Sequence, residues 1–485
     1  LWSPDSKKWA CSASIDGESG LYTVEFPDKL TPKLLARKRL SQAVWSAKAK
    51  AILYSDSGVP AKLETSGSST RYPFSTPQTF SRSERFGHGF DVAWRIMRDR
   101  WYDPRVGNRN WDQIRRRYRP MAAAAVNNRM FGEVMTLMLG ELNGSHLGFT
   151  PRSDERWSDR ESARLRQTAH LGLRFDPEFN GPGLKIRDVI PGGPTDDADI
   201  EIEPGDLVLQ IDGQKVDPAM DLTQVLNGRS DRDIELLIAS ADGDEETTIT
   251  IRPTSYGAVR SRLYQAWLTH NREMVDQLSD NTLGYLHIRA MSQSSFYEFE
   301  RQLYNAGAGK DGLVIDVRDN GGGSTTDLLL TCLTQPRHSI TIPRDGGPGY
   351  PQSRMVFATW HKPIIVLCNQ NSYSNAEIFS HAIKGLGRGK LVGVTTAGGV
   401  ISTGSTSVID VGRMRMPFRA WFVAGTGEDM ELNGAVPDVT LWPLPGELPS
   451  GKDRQLAKAV EMLKDDVAKV EPMPKLIYNT QRGSE

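Results

Sequence analysis

The chain has 485 residues, too many for one core, so roughly three or four domains are expected. Its 59 Lys and Arg nearly balance 60 Asp and Glu, with no basic block and no basic–aromatic interleaving, which argues against a nucleic-acid partner. Cys11, Cys332 and Cys368 sit among apolar neighbours and suit small buried hydrophobes, not a disulfide framework or a metal site. No metal and no cofactor is expected, and no apolar run reaches membrane-spanning length. The start, Leu-Trp-Ser without Met, reads as the interior of a longer protein, so a segment that sets the compartment would lie upstream.

Residues 1–75 carry a weak repeat. Leu1-Trp2-Ser3 is echoed by Val44-Trp45-Ser46, a step of 43 residues between tryptophans, close to the period of about 40–45 for propeller blades. Each Trp-Ser precedes an alternating strand (9–14; 51–55), a Gly-containing turn and a second strand (21–26; 61–64). The last blade or blades of a β-propeller are expected, with a small antiparallel module as the plainer alternative. Residues 67–84, rich in Ser, Thr and Pro, read as a linker.

Helical periodicity marks 80–160. Phe90, Val92, Ala93, Ile96 and Met97 form one apolar face, and 121–126 and 131–142 supply two more. Asn143 and Gly144 break the last helix just before Ser145 and His146. A histidine there is usually a loop residue or a cap. Short strands with turns follow over 161–256. The turn Pro191-Gly-Gly-Pro-Thr195, the hairpin Pro204-Gly-Asp-Leu-Val-Leu-Gln-Ile-Asp-Gly-Gln-Lys-Val216 and His170-Leu171-Gly172-Leu173 resemble a PDZ domain, with a helix over 220–226. That resemblance implies that Leu171, Gly172 and Leu173 receive a peptide C-terminus. A PDZ fold serving only as a spacer is the alternative.

Over 257–470 strands and helices alternate, as in an α/β domain with a mainly parallel core and an antiparallel addition, followed by a tail at 471–485. The fold class expected is therefore multidomain α/β plus β: propeller end, helical segment, PDZ-like domain and α/β core. Ile364–Leu367 reads as a buried parallel strand, Asn369–Asn371 end it, and a helix runs from Asn375 to glycines at 385 and 387. Ser374 sits on the elbow between them. Such an elbow exposes a hydroxyl and leaves N–H groups at the helix start facing a developing oxyanion. A lone serine before a helix is far more often an N-cap. Ile315-Asp-Val-Arg-Asp-Asn-Gly-Gly-Gly323 places three glycines beyond the C-terminal edge of another buried strand, where a second oxyanion donor could stand. A phosphate loop is disfavoured because no Lys-Ser/Thr follows.

Together Gly284-Tyr-Leu-His-Ile288, the glycine loop, Asn371-Ser-Tyr-Ser-Asn-Ala-Glu-Ile-Phe379 and Asn433-Gly-Ala-Val-Pro-Asp-Val439 resemble the tricorn and C-terminal-processing class of serine peptidases, over about 85–470. One branch of that class uses a serine–lysine dyad. Here Gly399 stands where its lysine would fall. The tricorn-like branch instead places Ser-His at the end of the helical segment and Glu before the final Asn-Gly-x-x-Pro-Asp, which matches Ser145-His146 and Glu431. The resemblance implies Ser374 as nucleophile, His146 as general base, Ser145 and Glu431 as its orienting partners, and the N–H groups of Asn375 and Gly322 (Gly321 nearby) as the oxyanion hole. It also implies peptide substrates, a homo-oligomer, hexameric in tricorn, and a cytoplasmic setting, with periplasm or secretion open. With Ser145 between the ring and Glu431, His146 is expected to titrate near neutrality, raised only modestly. A non-catalytic propeller–PDZ scaffold with a relic peptidase domain, and an acyl enzyme of the enoyl-CoA-hydratase kind, are the competing readings.

Overall fold

The computed structural model describes residues 1–485 except 38–39, 49, 78, 154–166, 231, 343, 345–357, 473 and 480–485. The expected boundary at 160/161 lies outside the described residues, as do position 78 of the linker and positions 473 and 480–485 of the tail. The chain divides into two units, Leu1–Ser81 and Arg82–Glu485.

In the first unit, the alternating segments form two antiparallel sheets. Lys8–Ile15, Glu18–Glu25 and Lys29–Ala36 make one, and Ser41–Trp45, Ala51–Asp56, Val59–Glu64 and Ser69–Arg71 the other. Their apolar faces meet in one cluster containing Ala10, Leu21, Leu35, Trp45, Ile52, Tyr54 and Leu63. Trp45 Nε1 donates to the Leu1 carbonyl at 3.0 Å, which joins the two echoes of the repeat. This region is rich in sheet, and no closed barrel forms among its described residues. The linker is shorter than expected, because Ser69–Arg71 pairs as a fourth strand and a helix begins at Arg82.

The second unit opens with helices Arg82–Arg100, Trp111–Ala123 and Asn128–Gly140. The middle helix lies earlier than its alanine run suggests. It is anchored by Trp111 and Ile114 beneath an arginine-rich face, and Ala124–Val126 lie beyond its end. Next comes a sheet in the order Leu173–Phe175, Leu184–Val189, Leu207–Ile211, Ile234–Ala239, Glu246–Ile251, with Gln214–Lys215 paired to the third strand. Its helix is only Thr223–Leu226, four residues where seven were expected. Tyr256–Ser279, the longest helix described, has no counterpart in the sequence reading. Its buried face includes Asn271 and Ser279, so no clean apolar stripe marks it.

The core is a five-stranded, wholly parallel sheet, ordered Leu283–His287, Gly312–Asp316, Ile364–Cys368, Lys390–Gly393, Val439–Thr440. Alternate residues of these strands serve opposite faces. Leu313, Ile315 and Val366 meet the helices Gln293–Asn305, Thr326–Thr334 and Asn375–Gly385. Val314, Ile365 and Leu367 meet Tyr256–Ser279 and Arg454–Val467. Burial on both faces is why these strands read as continuous apolar runs.

Two features hold the helical segment and the glycine-rich loop in place. First, Gly148–Pro151, just after Ser145-His146, adds antiparallel to Gly412–Arg419, which also pairs with Ser402–Val408. The helical segment therefore shares one core with these strands, in which Phe90, Met97 and Phe131 are clustered with Ile401, Val408 and Met414. Second, the glycine-rich loop is anchored by Arg318. Its guanidinium donates to Asp316 at 2.6 Å, and to Asp453 at 2.8 Å and Gln455 at 3.0 Å, at the start of the last helix. All four side chains are buried. Burial alone would push the Asp316 carboxyl up, but Arg318 holds it below its usual range. Arg318→Ala strands two buried carboxylates, and we expect it to cost about 3–5 kcal/mol of stability. Urea unfolding measures this, and a loss below about 1 kcal/mol would show that the network is not holding the loop.

Candidate active site

The site forms at the C-terminal ends of the strands Gly312–Asp316 and Ile364–Cys368, where open parallel sheets present loops to ligands. After Cys368 the chain turns sharply. Ser372 Oγ donates to the Val317 carbonyl at 2.7 Å, and Tyr373 N–H to the Asn320 carbonyl at 2.9 Å, so the two loops are stitched together. Ser374 then adopts φ 59° and ψ −119°, a conformation costly for a residue with a side chain. That elbow is held by Glu377, one turn into the helix. Its carboxylate accepts from Ser374 N–H at 3.0 Å, Thr396 Oγ1 at 2.6 Å, Gly399 N–H at 2.8 Å and Gly398 N–H. Glu377 is fully buried with those neutral donors around it.

Four residues expected from three sequence stretches come together here. Ser374 Oγ is 3.2 Å from His146 Nε2. Ser145 Oγ is 2.7 Å from His146 Nδ1 and donates to Glu431 Oε2 at 2.9 Å. Glu431, 5% exposed, also accepts from Ser145 N–H at 2.6 Å and Val400 N–H at 2.9 Å. Because Glu431 can only accept, Ser145 spends its proton there and must accept at Nδ1. The imidazole therefore carries its hydrogen on Nδ1 and leaves Nε2 free for Ser374. His146 itself is at φ 57°, a second costly conformation in the same site.

Three expectations are corrected. First, the Gly322 N–H is not free: it donates to Asn320 Oδ1 at 2.9 Å. Gly322 still lies against the elbow, since a Cβ there would be 2.7 Å from Ser374 Cβ and 3.0 Å from Asn375 N. Asn375 lends its side chain elsewhere, with Oδ1 accepting from Thr326 N–H at 2.9 Å. Second, Leu171, Gly172 and Leu173 are buried in the PDZ-like sheet region. The Gly172 N–H, expected to meet a carboxylate, is taken by His170 Nδ1 at 3.0 Å, and Pro194 packs over the glycine. Third, His146 does not titrate near neutrality. Burial, and then the positive charge of Arg415, push its imidazole down to about 4. Glu431 does not reach the ring, because Ser145 stands between them.

This sets a pH expectation. Neutral His146 is the form able to take a proton, and a lowered value keeps it neutral down to about pH 4. We expect kcat/KM for a small peptide ester to rise through an acid limb near 4 and to be level from about pH 5.5 upward. Arg415→Ala should move that limb upward. A wild-type limb near 6.5 would mean that the ring is solvated in solution.

Two site residues were not found from sequence. Glu377 had a signal, the Ser374-x-x-Glu377 spacing of a capping box. Tyr373 had none, yet its ring stacks on His146 at 4.8 Å and 22°, with its hydroxyl 3.2 Å from Nδ1.

Residues 282–441 match peptidase family S41, 84–140 the tricorn protease C1 domain and 185–255 the tricorn protease PDZ domain. The chain carries a peptidase family S41 domain preceded by tricorn C1 and tricorn PDZ domains. Tricorn protease homolog 1 of Streptomyces coelicolor is 29% identical over 408 residues, covering 81% of this chain and 37% of the homolog. Tricorn protease of Thermoplasma volcanium is 27% identical over 396 residues, covering 80% of this chain and 37% of the relative. The chain thus spans 37% of the length of these two relatives. The crystal structure of the tricorn protease superposes with a TM-score of 0.72 at 24% identity, over 93% of this chain and 44% of that one. The tricorn-like fold is therefore shared. The S41 match over 282–441 falls on the α/β core and so weighs against the enoyl-CoA-hydratase alternative. Among the described residues, no helix of this tricorn-like chain is long and apolar enough to cross a membrane.

Proposed function

We propose that the chain hydrolyses peptides or oligopeptides through an acyl-enzyme, using Ser374, His146, Ser145 and Glu431 as a tetrad. The observation that carries this reading is the unbroken hydrogen-bond chain from Ser374 Oγ through both imidazole nitrogens and Ser145 to Glu431. In the first half-reaction, Ser374 Oγ attacks the scissile carbonyl carbon while its proton passes to His146 Nε2. The imidazolium so formed donates from Nδ1 to Ser145, whose own hydroxyl proton stays directed at Glu431. The carbonyl oxygen, now negative, is met by the Asn375 N–H at the helix start. Gly321 is the better second donor of the glycine loop, since Gly322 is engaged by Asn320 and the space over Gly321 is open. His146 then gives its proton to the leaving amine and the C–N bond breaks. In the second half, water loses its proton to His146, attacks the ester, and Ser374 recovers its hydroxyl.

The wider setting belongs to the same proposal. The two sheets of Leu1–Ser81, stacked through a shared apolar cluster, are the end of a β-propeller. The domain divisions at 75, 80, 160, 256 and 470 follow the changes of pattern along the sequence, and a cytoplasmic location and a homo-oligomeric, hexameric assembly follow the resemblance. The PDZ-like segment shapes access and does no chemistry.

The test is incubation of the purified chain with short unblocked peptides, read by mass spectrometry. Hydrolysis blocked by a fluorophosphonate supports the peptidase. Peptides bound intact, with no cleavage and no label, would instead support a scaffold with a relic site.

A further inference from the structure

We propose that Tyr373 is a positioning residue of this site, giving the His146 Nδ1–H a second acceptor and the imidazole a flat stop. The inference rests on the tetrad reading above. Ser145 Oγ, at 2.7 Å, is the nearer acceptor at Nδ1, and the Tyr373 hydroxyl, at 3.2 Å, is the farther one. Both face the one nitrogen that must keep its hydrogen if Nε2 is to receive the Ser374 proton. The tyrosine ring lies nearly parallel to the imidazole, at 22° and 4.8 Å, so rotation about the His146 side chain toward that side is blocked. The ring has a matched seat: a Cβ on Gly399 would overlap it and would also stand 3.0 Å from Ser145 Cβ. Gly399, Tyr373 and Ser145 are thus packed as one wall behind the base. Tyr373 is also the residue before the nucleophile, and its N–H is tied to Asn320, so its backbone has little freedom.

The arrangement predicts redundancy. With Ser145 present, losing the tyrosine hydroxyl removes only the longer of two contacts. With Ser145 absent, it leaves Nδ1–H half-buried with no acceptor, and the tautomer that frees Nε2 is no longer favoured.

The experiment is a double-mutant cycle of wild type, Ser145→Ala, Tyr373→Phe and the double variant, read as kcat on a small peptide ester, with melting curves to confirm folding. We expect Tyr373→Phe to lower kcat about threefold alone and about thirtyfold or more in the Ser145→Ala background. The phenylalanine keeps the ring, so a role limited to packing predicts the same factor in both backgrounds, and equal factors would overturn the proposal. If Ser145→Ala does not fold, nitrogen NMR of His146 in wild type and Tyr373→Phe decides. A changed Nδ1 signal supports the contact, and an unchanged one refutes it. A folded wild type that neither hydrolyses the ester nor takes a phosphonate on Ser374 would refute the tetrad reading itself, and the role of Tyr373 would fall with it.

Discussion

Ser374→Ala should reduce turnover of a small peptide ester by about a millionfold while leaving the melting curve nearly unchanged. The size reflects the loss of the elbow hydroxyl that faces His146 Nε2, at 3.2 Å. What remains, a set of N–H donors and a bound substrate, accelerates attack by water only weakly. The fold should survive because the elbow is held by contacts that do not use the Ser374 hydroxyl. Ser374 N–H binds Glu377, Ser372 Oγ binds Val317, and Tyr373 N–H binds Asn320. Removing the hydroxyl also relieves none of the backbone strain at φ 59°, so no large stabilisation is expected. Near-wild-type turnover in a folded Ser374→Ala protein would remove the serine from the chemistry.

The second large effect concerns the base. His146→Ala should be nearly as damaging as Ser374→Ala, and Gly399→Lys should not rescue it: the double variant should stay about a millionfold below wild type. A lysine at 399 is what a serine–lysine site would require. Here the position is walled. Even a Cβ at 399 overlaps the Tyr373 ring and presses on Ser145, so the longer side chain must displace both or leave the site. Gly399 N–H also donates to Glu377, tying this backbone to the elbow at 2.8 Å. Gly399→Lys alone should therefore already lower activity and cost about 1–3 kcal/mol through overpacking. Kinetics on the purified variants measure both. Recovery of substantial turnover in Gly399→Lys/His146→Ala would show that the site accepts a lysine base.

The features that could be read from sequence are those written in local periodicity. Ile364–Cys368 is apolar at every position because it is covered on both faces, and the elbow and helix after it are set off by Asn369–Asn371 and Gly385. The alternating strands of residues 1–75 were legible for the same reason. Ser145, His146 and Glu431 were not readable that way. They lie 286 and 228 positions from their partners, and only resemblance to a known class joined them. Tyr256–Ser279 was missed because Asn271 and Ser279 sit in its buried face, where Asn271 donates to the Tyr285 hydroxyl. The expectation at Gly172 came from the PDZ resemblance and that at Gly322 from the glycine-rich loop, and in both the N–H is taken locally, by His170 and by Asn320. The His146 shift was illegible because it depends on burial and on Arg415, which reaches the site only by pairing its strand with Gly148.

The most direct test of the central claim is to map the adduct of a fluorophosphonate on wild type and on His146→Ala, with the labelling rate measured for each. The account predicts a single adduct on Ser374 in wild type and a rate lower by about a thousandfold or more in the histidine variant. An adduct elsewhere, or labelling of Ser374 at the same rate without His146, would contradict it.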